Sequence, residues 1–192
     1  MKNTLKELKE HTPFTLGAVF VAVLIVIVIH YVFKKEIGEG VFHIFHFGHI
    51  FVSAIATAGL YYKYRKNIFN ALLIGVSGAL LIGSVSDVIF PHIGAVLLNN
   101  EVHFHLPLIE KTAQTMFFAV VGSVVGVITK TTKIPHLLHV FLSVFASLFY
   151  LLAFTSVFSA FYLLISFFII FIAVIIPCCL SDIVFPLIFV KK

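Results

Sequence analysis

Two short stretches of this chain carry side chains that could bind a metal ion. His46, His49, Ser53 and Thr57 recur 90 positions later as His136, His139, Ser143 and Ser147, both copies reading His-x-x-His-x-Phe-x-Ser-x-x-Ala-(Ser/Thr). At about 100° per residue around a helix, these positions share one face, so each copy draws a stripe of two imidazoles and two hydroxyls. Neutral imidazole is the commonest protein metal ligand, and a pair spaced i, i+3 can aim two nitrogens at one ion. The hydroxyls Ser53, Thr57, Ser143 and Ser147 would continue a polar ion path.

A second motif supplies the counter-charge. Ser86-Asp87-Val88-Ile89-Phe90-Pro91 returns 95 positions later as Ser181-Asp182-Ile183-Val184-Phe185-Pro186. An aspartate inside a membrane span costs roughly 2.5–3.5 kcal/mol on insertion scales, so it needs a partner. Asp87 is the natural partner of His46 and His49, and Asp182 that of His136 and His139. A proline four residues after each aspartate predicts a short broken or re-entrant segment around Ser86–Pro91 and Ser181–Pro186.

Further candidates lie between and after these motifs. His92, His103 and His105, with Glu101, form a second cluster, because His-x-His on an extended segment places both rings on one side. Glu110 either faces inward or caps the helix that follows. Cys178 and Cys179 are the only cysteines, and adjacent cysteines do not meet disulfide geometry. Cys178 reads as a small buried hydrophobe, and Cys179 is the candidate soft ligand. The metal-ligating set is thus His46, His49, Asp87, His92, His103, His105, His136, His139, Asp182 and Cys179, suited to a divalent transition metal of the zinc or manganese/iron class.

The elements that must position these residues follow from composition. The chain has 192 residues, 61% hydrophobic and 11% charged, with a mean hydropathy of +1.15. A globular domain carries about 25% charged residues, so this chain is predicted to be an all-α integral membrane protein. Apolar runs predict six transmembrane helices, at about 13–33, 41–62, 68–90, 112–128, 135–154 and 160–176. The two motif pairs recur in the same order, which predicts two repeats of three spans, residues 13–98 and 112–192. The first follows an amphipathic cytoplasmic lead-in, 1–12, and the His-rich loop 99–111 lies between the two.

Ten of the 13 Lys and Arg residues fall on one side of that arrangement. The positive-inside rule then puts both termini in the cytoplasm of a multi-pass cell-membrane protein. Three spans per repeat make the topology inverted. His46, His49 and Asp87 then fall toward the outer side, and His136, His139 and Asp182 toward the inner.

The expected function is transport of a divalent transition-metal cation through duplicated His/Asp sites, with protons as a coupling ion, and a homodimer to complete the path. An intramembrane metal-dependent hydrolase acting on a lipid-like substrate is the alternative. A b-type haem protein using His30 and a histidine of the second span ranks below both. Basic residues stand between the apolar runs and not among aromatics on a groove, so nucleic acid is not an expected partner. No hydrolase, phosphate-binding or calcium-loop motif occurs.

Overall fold

The computed structural model of the chain describes residues 2–34, 37–131, 133–155, 159–179 and 184–190, the side chains of 2–11, 133, 134, 136, 160 and 179 excepted. Among these residues there is no strand, and six helices are long and apolar enough to cross a bilayer: Thr12–Val32, Glu39–Tyr64, Ile68–Leu97, Thr112–Thr129, Leu137–Phe154 and Phe161–Cys178. A chain in hydrocarbon must satisfy its backbone hydrogen bonds internally, and a helix does so within one segment.

In chain order the helices are α1 (Lys2–Ile27), α2 (Glu39–Tyr64), α3 (Ile68–Ser84), α4 (Phe90–Leu97), α5 (Pro107–Glu110), α6 (Thr112–Thr129), α7 (Lys133–Phe154), α8 (Ala160–Cys179) and α9 (Phe185–Ile188). α3 starts where the Asn67 side chain accepts the Asn70 N–H at 3.0 Å. α6 stops at Lys130, which takes a left-handed conformation at φ 55°. The backbone of 2–11 continues into the first span through Pro13 as the single helix α1, so the expected lead-in is helical and joined to the span.

The expected break at Ser86–Pro91 is corrected. The chain stays helical from Ile68 to Leu97, and a π-helical turn, Val85–Ile89, joins α3 to α4. Pro91 has no N–H to give, and just before it the Phe90 N–H reaches back five residues to the Val85 carbonyl. The wider turn absorbs the proline without exposing backbone and holds Ser86 and Asp87 on the buried side. Ser181, Asp182 and Ile183 lie outside the described residues, and beyond them Phe185–Ile188 is a single helical turn.

Side-chain placement is that of a membrane protein. Phe20 and Leu24 of α1, Phe117 and Ile128 of α6, and Phe161, Leu164 and Phe168 of α8 point outward, while His46, His49, His139, Ser53, Ser143, Ser147 and Asp87 are buried. α2 is the axis, packed against α3, α6 and α7. One apolar cluster joins α1, α7 and α8, and a second joins α2, α3 and α6. The polar stripe of α2 lies between them, facing α7.

Small residues let α6 approach α2. A Cβ at Gly122 would strike the Phe51 carbonyl oxygen, and one at Gly126 the Ile55 carbonyl oxygen. The helices therefore touch backbone to backbone, as small-xxx-small faces do in membranes. Gly122→Val should push α6 off α2 at a cost of about 1–3 kcal/mol, read as a lowered unfolding midpoint in detergent. An unchanged midpoint would mean that these helices do not pack this way.

Candidate metal centre

Asp87 organises the interior. Its Oδ2 accepts the Nδ1–H of His46 at 2.9 Å and that of His49 at 2.7 Å. Its Oδ1 accepts the hydroxyls of Ser86 and Ser143, each at 2.8 Å. All five side chains are buried. Four donors converge on two oxygens, which is the full acceptor capacity of an ionised carboxylate. The Ser147 hydroxyl lies 3.0 Å from the Ser86 carbonyl oxygen and 2.8 Å from that of Ser143, which ties α7 to the π turn.

This arrangement sets the histidine tautomers. With Nδ1–H given to Asp87, the Nε2 atoms of His46 and His49 carry lone pairs. A carboxylate behind Nδ1 is the usual support of a metal-ligating histidine, and it fixes ring orientation as well as tautomer. Nε2 of His49 faces Cys178 Sγ at 4.0 Å, and its ring stacks on that of His139 at 5.4 Å and 10°. One ligand atom from each of His49, His139 and Cys178 can be chosen so that all three lie within 4.8 Å of one another. The donor atoms of a tetrahedral zinc site lie roughly 3.4–3.6 Å apart, so a modest inward movement closes this set around an ion. The Cys178 thiol also donates to Ser143 Oγ at 3.3 Å, which links it to the Asp87 network.

The two stripes meet here. The expectation from sequence and charge is His49 toward one side of the membrane and His139 toward the other, but α2 and α7 lie alongside each other and bring the rings together. Phe154 at the end of α7 packs on Phe42 near the start of α2, so the helices run in opposite directions with their polar faces opposed. His49 is ten residues from Glu39, about 15 Å along the helix, which places the cluster deep in the bundle. Nε2 of His46 has no hydrogen-bond partner among the described residues.

The other expected ligands are distributed differently. Ser53 and Thr57 are buried on α2 beyond His49. His136 sits in α7, but its side chain, that of Cys179, and the whole of Asp182 lie outside the described residues, as does any pairing of Asp182 with His136 and His139. His92 faces Tyr150, with Nδ1 3.3 Å from the hydroxyl, and stands edge-on to Phe104. His103 and His105 do not share a side: His103 is exposed and His105 buried. Within residues 99–106 the β-pairing is a single isolated bridge, Val102 with Thr155, so no strand pleat enforces alternation. His30, the haem candidate, is half-buried in the π turn after α1, edge-on to Tyr31.

His105 turns instead toward the start of α2. Its Nδ1–H donates to Glu110 Oε2 at 2.7 Å, and its Nε2 lies 2.8 Å from His43 Nε2. Glu110 Oε1 accepts the Leu106 N–H at 3.0 Å. That backbone bond, helped by His105, holds the Glu110 carboxyl below its ordinary 4.5. A carboxylate lowered by folding stabilises the fold above its unfolded pKa and loses that contribution as pH falls through the folded value. Thermal unfolding of the wild type should therefore ease as pH drops below the usual carboxylate range, and Glu110→Gln should flatten that acid slope. Equal slopes would show that this contact does not hold the loop.

Sequence reading missed Cys178, His43 and Glu39 as cluster members. His43 stands one i, i+3 step before His46, and Glu39 one i, i+4 step before His43, so their spacing was a usable signal. Nothing in the sequence separates Cys178 from Cys179. Comparison with known protein families, with curated proteins and with solved structures finds no match to this chain.

Proposed function

We propose that this protein carries a divalent transition-metal cation across a membrane through the interior of its six-helix bundle. One observation carries the reading: a buried carboxylate orients the histidine of one stripe, which stacks on a histidine of the other beside a thiol, deep among six helices long and apolar enough to cross a bilayer. Ionisable groups in such a place are costly and mark ion or substrate pathways. Two imidazoles and a sulfur favour a borderline-soft ion of the zinc class over magnesium or calcium.

The internal duplication supports a transport cycle. Two three-span repeats of opposite orientation, read from the motif pairs and the charge bias, would rock against each other around the shared cluster. His49 and Asp87 come from the first repeat, and His139 and Cys178 from the second. Relative motion of the halves would then open and close the coordination shell. The charge bias puts the Glu39 end outside and both termini in the cytoplasm.

The test is flux. Liposomes containing the purified protein and a zinc-sensitive dye should take up Zn²⁺ faster than empty ones, and His49→Ala with His139→Ala should abolish the difference. Uptake at the wild-type rate in that double variant would end the transport reading. Three protein ligands with an open fourth position also describe a catalytic zinc site. An intramembrane hydrolase is therefore the second reading, and zinc-dependent cleavage of a lipid ester without flux would favour it.

A further inference from the structure

Glu39, His43 and His105 converge outside the centre already described. Glu39 and His43 stand four residues apart on the first turns of α2, and His105 reaches them from the loop before α5. Three atoms define the cluster. Nε2 of His43 and Nε2 of His105 are 2.8 Å apart, and each is 3.6 Å from Glu39 Oε1. The corners of that triangle lie about 2.0 Å from a common centre, and bonds from zinc to histidine nitrogen or carboxylate oxygen are ~2.0–2.2 Å. An ion slightly out of the plane would reach all three atoms with little movement of the protein.

The surroundings prepare His105 for this, and its Nε2 accepts the Nε2–H of His43, a proton that a bound ion would displace. Glu110 takes the Nδ1–H of His105, so that ring presents a lone pair at Nε2, as Asp87 makes His49 do. His105 stacks on Phe154 at 4.8 Å and 21°, and His43 stacks on Phe47 at 5.5 Å and 6°. His105 is 3% exposed, whereas half of the Glu39 side chain is open. The ligand set is therefore rigid on its nitrogen side and reachable from solvent on its oxygen side.

We infer that Glu39, His43 and His105 form a second binding site for a divalent transition-metal cation, at the end of the bundle where α2 begins. Two imidazoles and a carboxylate make it harder than the thiol-containing centre, suited to zinc, manganese or iron(II). Binding here is independent of the transport reading; only its use as the place where the carried ion is first taken up rests on that reading.

The experiment is zinc titration of the purified full-length protein in detergent, with bound metal counted after dialysis. The wild type is expected to bind about two Zn²⁺ per chain. His43→Gln with His105→Gln should reduce this to about one, Cys178→Ala should independently reduce it to about one, and the three together should leave none. Glu39→Gln, a change at a half-open side chain, should weaken one of the two sites at least tenfold and leave the unfolding midpoint unchanged. If the two histidine substitutions leave the zinc content at the wild-type level, the second site does not exist. In that event a loss seen only with Cys178→Ala would keep the buried centre. If Cys178→Ala has no effect while the histidine pair removes an ion, the second site stands and the buried centre falls.

Discussion

Asp87→Asn should weaken metal binding by about 10- to 100-fold while the helices stay assembled, the range typical for loss of a carboxylate behind a ligating histidine. The reason is a tautomer. The carboxylate takes Nδ1–H from both His46 and His49 and two hydroxyls on its other oxygen. An amide has one oxygen and one NH₂ group, so it cannot accept on both sides. If the oxygen keeps Ser86 and Ser143, whose hydroxyls can rotate, the NH₂ faces the rings. They must then accept at Nδ1 and carry their proton at Nε2. A protonated Nε2 cannot bind an ion, so His49 loses its ligand atom without moving.

Asp87→Ala removes the acceptor altogether and leaves buried N–H and O–H groups with nothing opposite them. Removing one partner of a buried pair costs about 3–5 kcal/mol, so this variant should unfold at a visibly lower temperature than Asp87→Asn. The two measurements are zinc affinity by competition with a chelator and the unfolding midpoint in detergent. Wild-type affinity in Asp87→Asn would show that the aspartate does not support a ligand.

The second large effect is expected at Cys178. Four-ligand structural zinc sites bind with about 10–16 kcal/mol, so one ligand carries roughly 3–4 kcal/mol, a several-hundred-fold change in affinity. Cys178→Ser should weaken zinc by that order. It should also remove the near-ultraviolet thiolate-to-metal absorption of the cobalt-loaded protein, and the small change in volume should leave packing intact. Cys179→Ser, made in parallel, should keep the band. A band lost with Cys179 and kept without Cys178 would mean that the sulfur ligand had been assigned to the wrong neighbour.

Much of the architecture was legible before any coordinates. A membrane span is a local property, because length and hydropathy within one segment decide it, and all six expected spans form helices that can cross a bilayer. The pairing of Asp87 with His46 and His49 was also legible. A charge placed in hydrocarbon needs a partner, and the nearest histidines on one helical face were already marked by spacing. The proline after Asp87 announced an irregularity but not its form. Whether a helix breaks or widens into a π turn depends on the neighbours that satisfy its backbone and side chains, here Ser143 and Ser147 of a distant helix.

What the sequence determined by itself is therefore a helical chain in a membrane, with two copies of a His/Ser stripe and an aspartate set against the first. Tertiary structure decided which of these groups meet. Cys178 and Cys179 are neighbours about 100° apart around α8, a helix whose second half before them is wholly apolar. Nothing in that helix says which thiol faces inward, and its packing against α1 and α7 sets the rotation that buries Cys178 beside His49. The stacking of His49 on His139 likewise follows from how α2 and α7 lie against each other. The approach of His105 to His43 follows from where the loop before α5 folds back. Positions 62 to 129 residues apart are joined by interlocking side chains and close helix contacts, and no spacing along the chain encodes that.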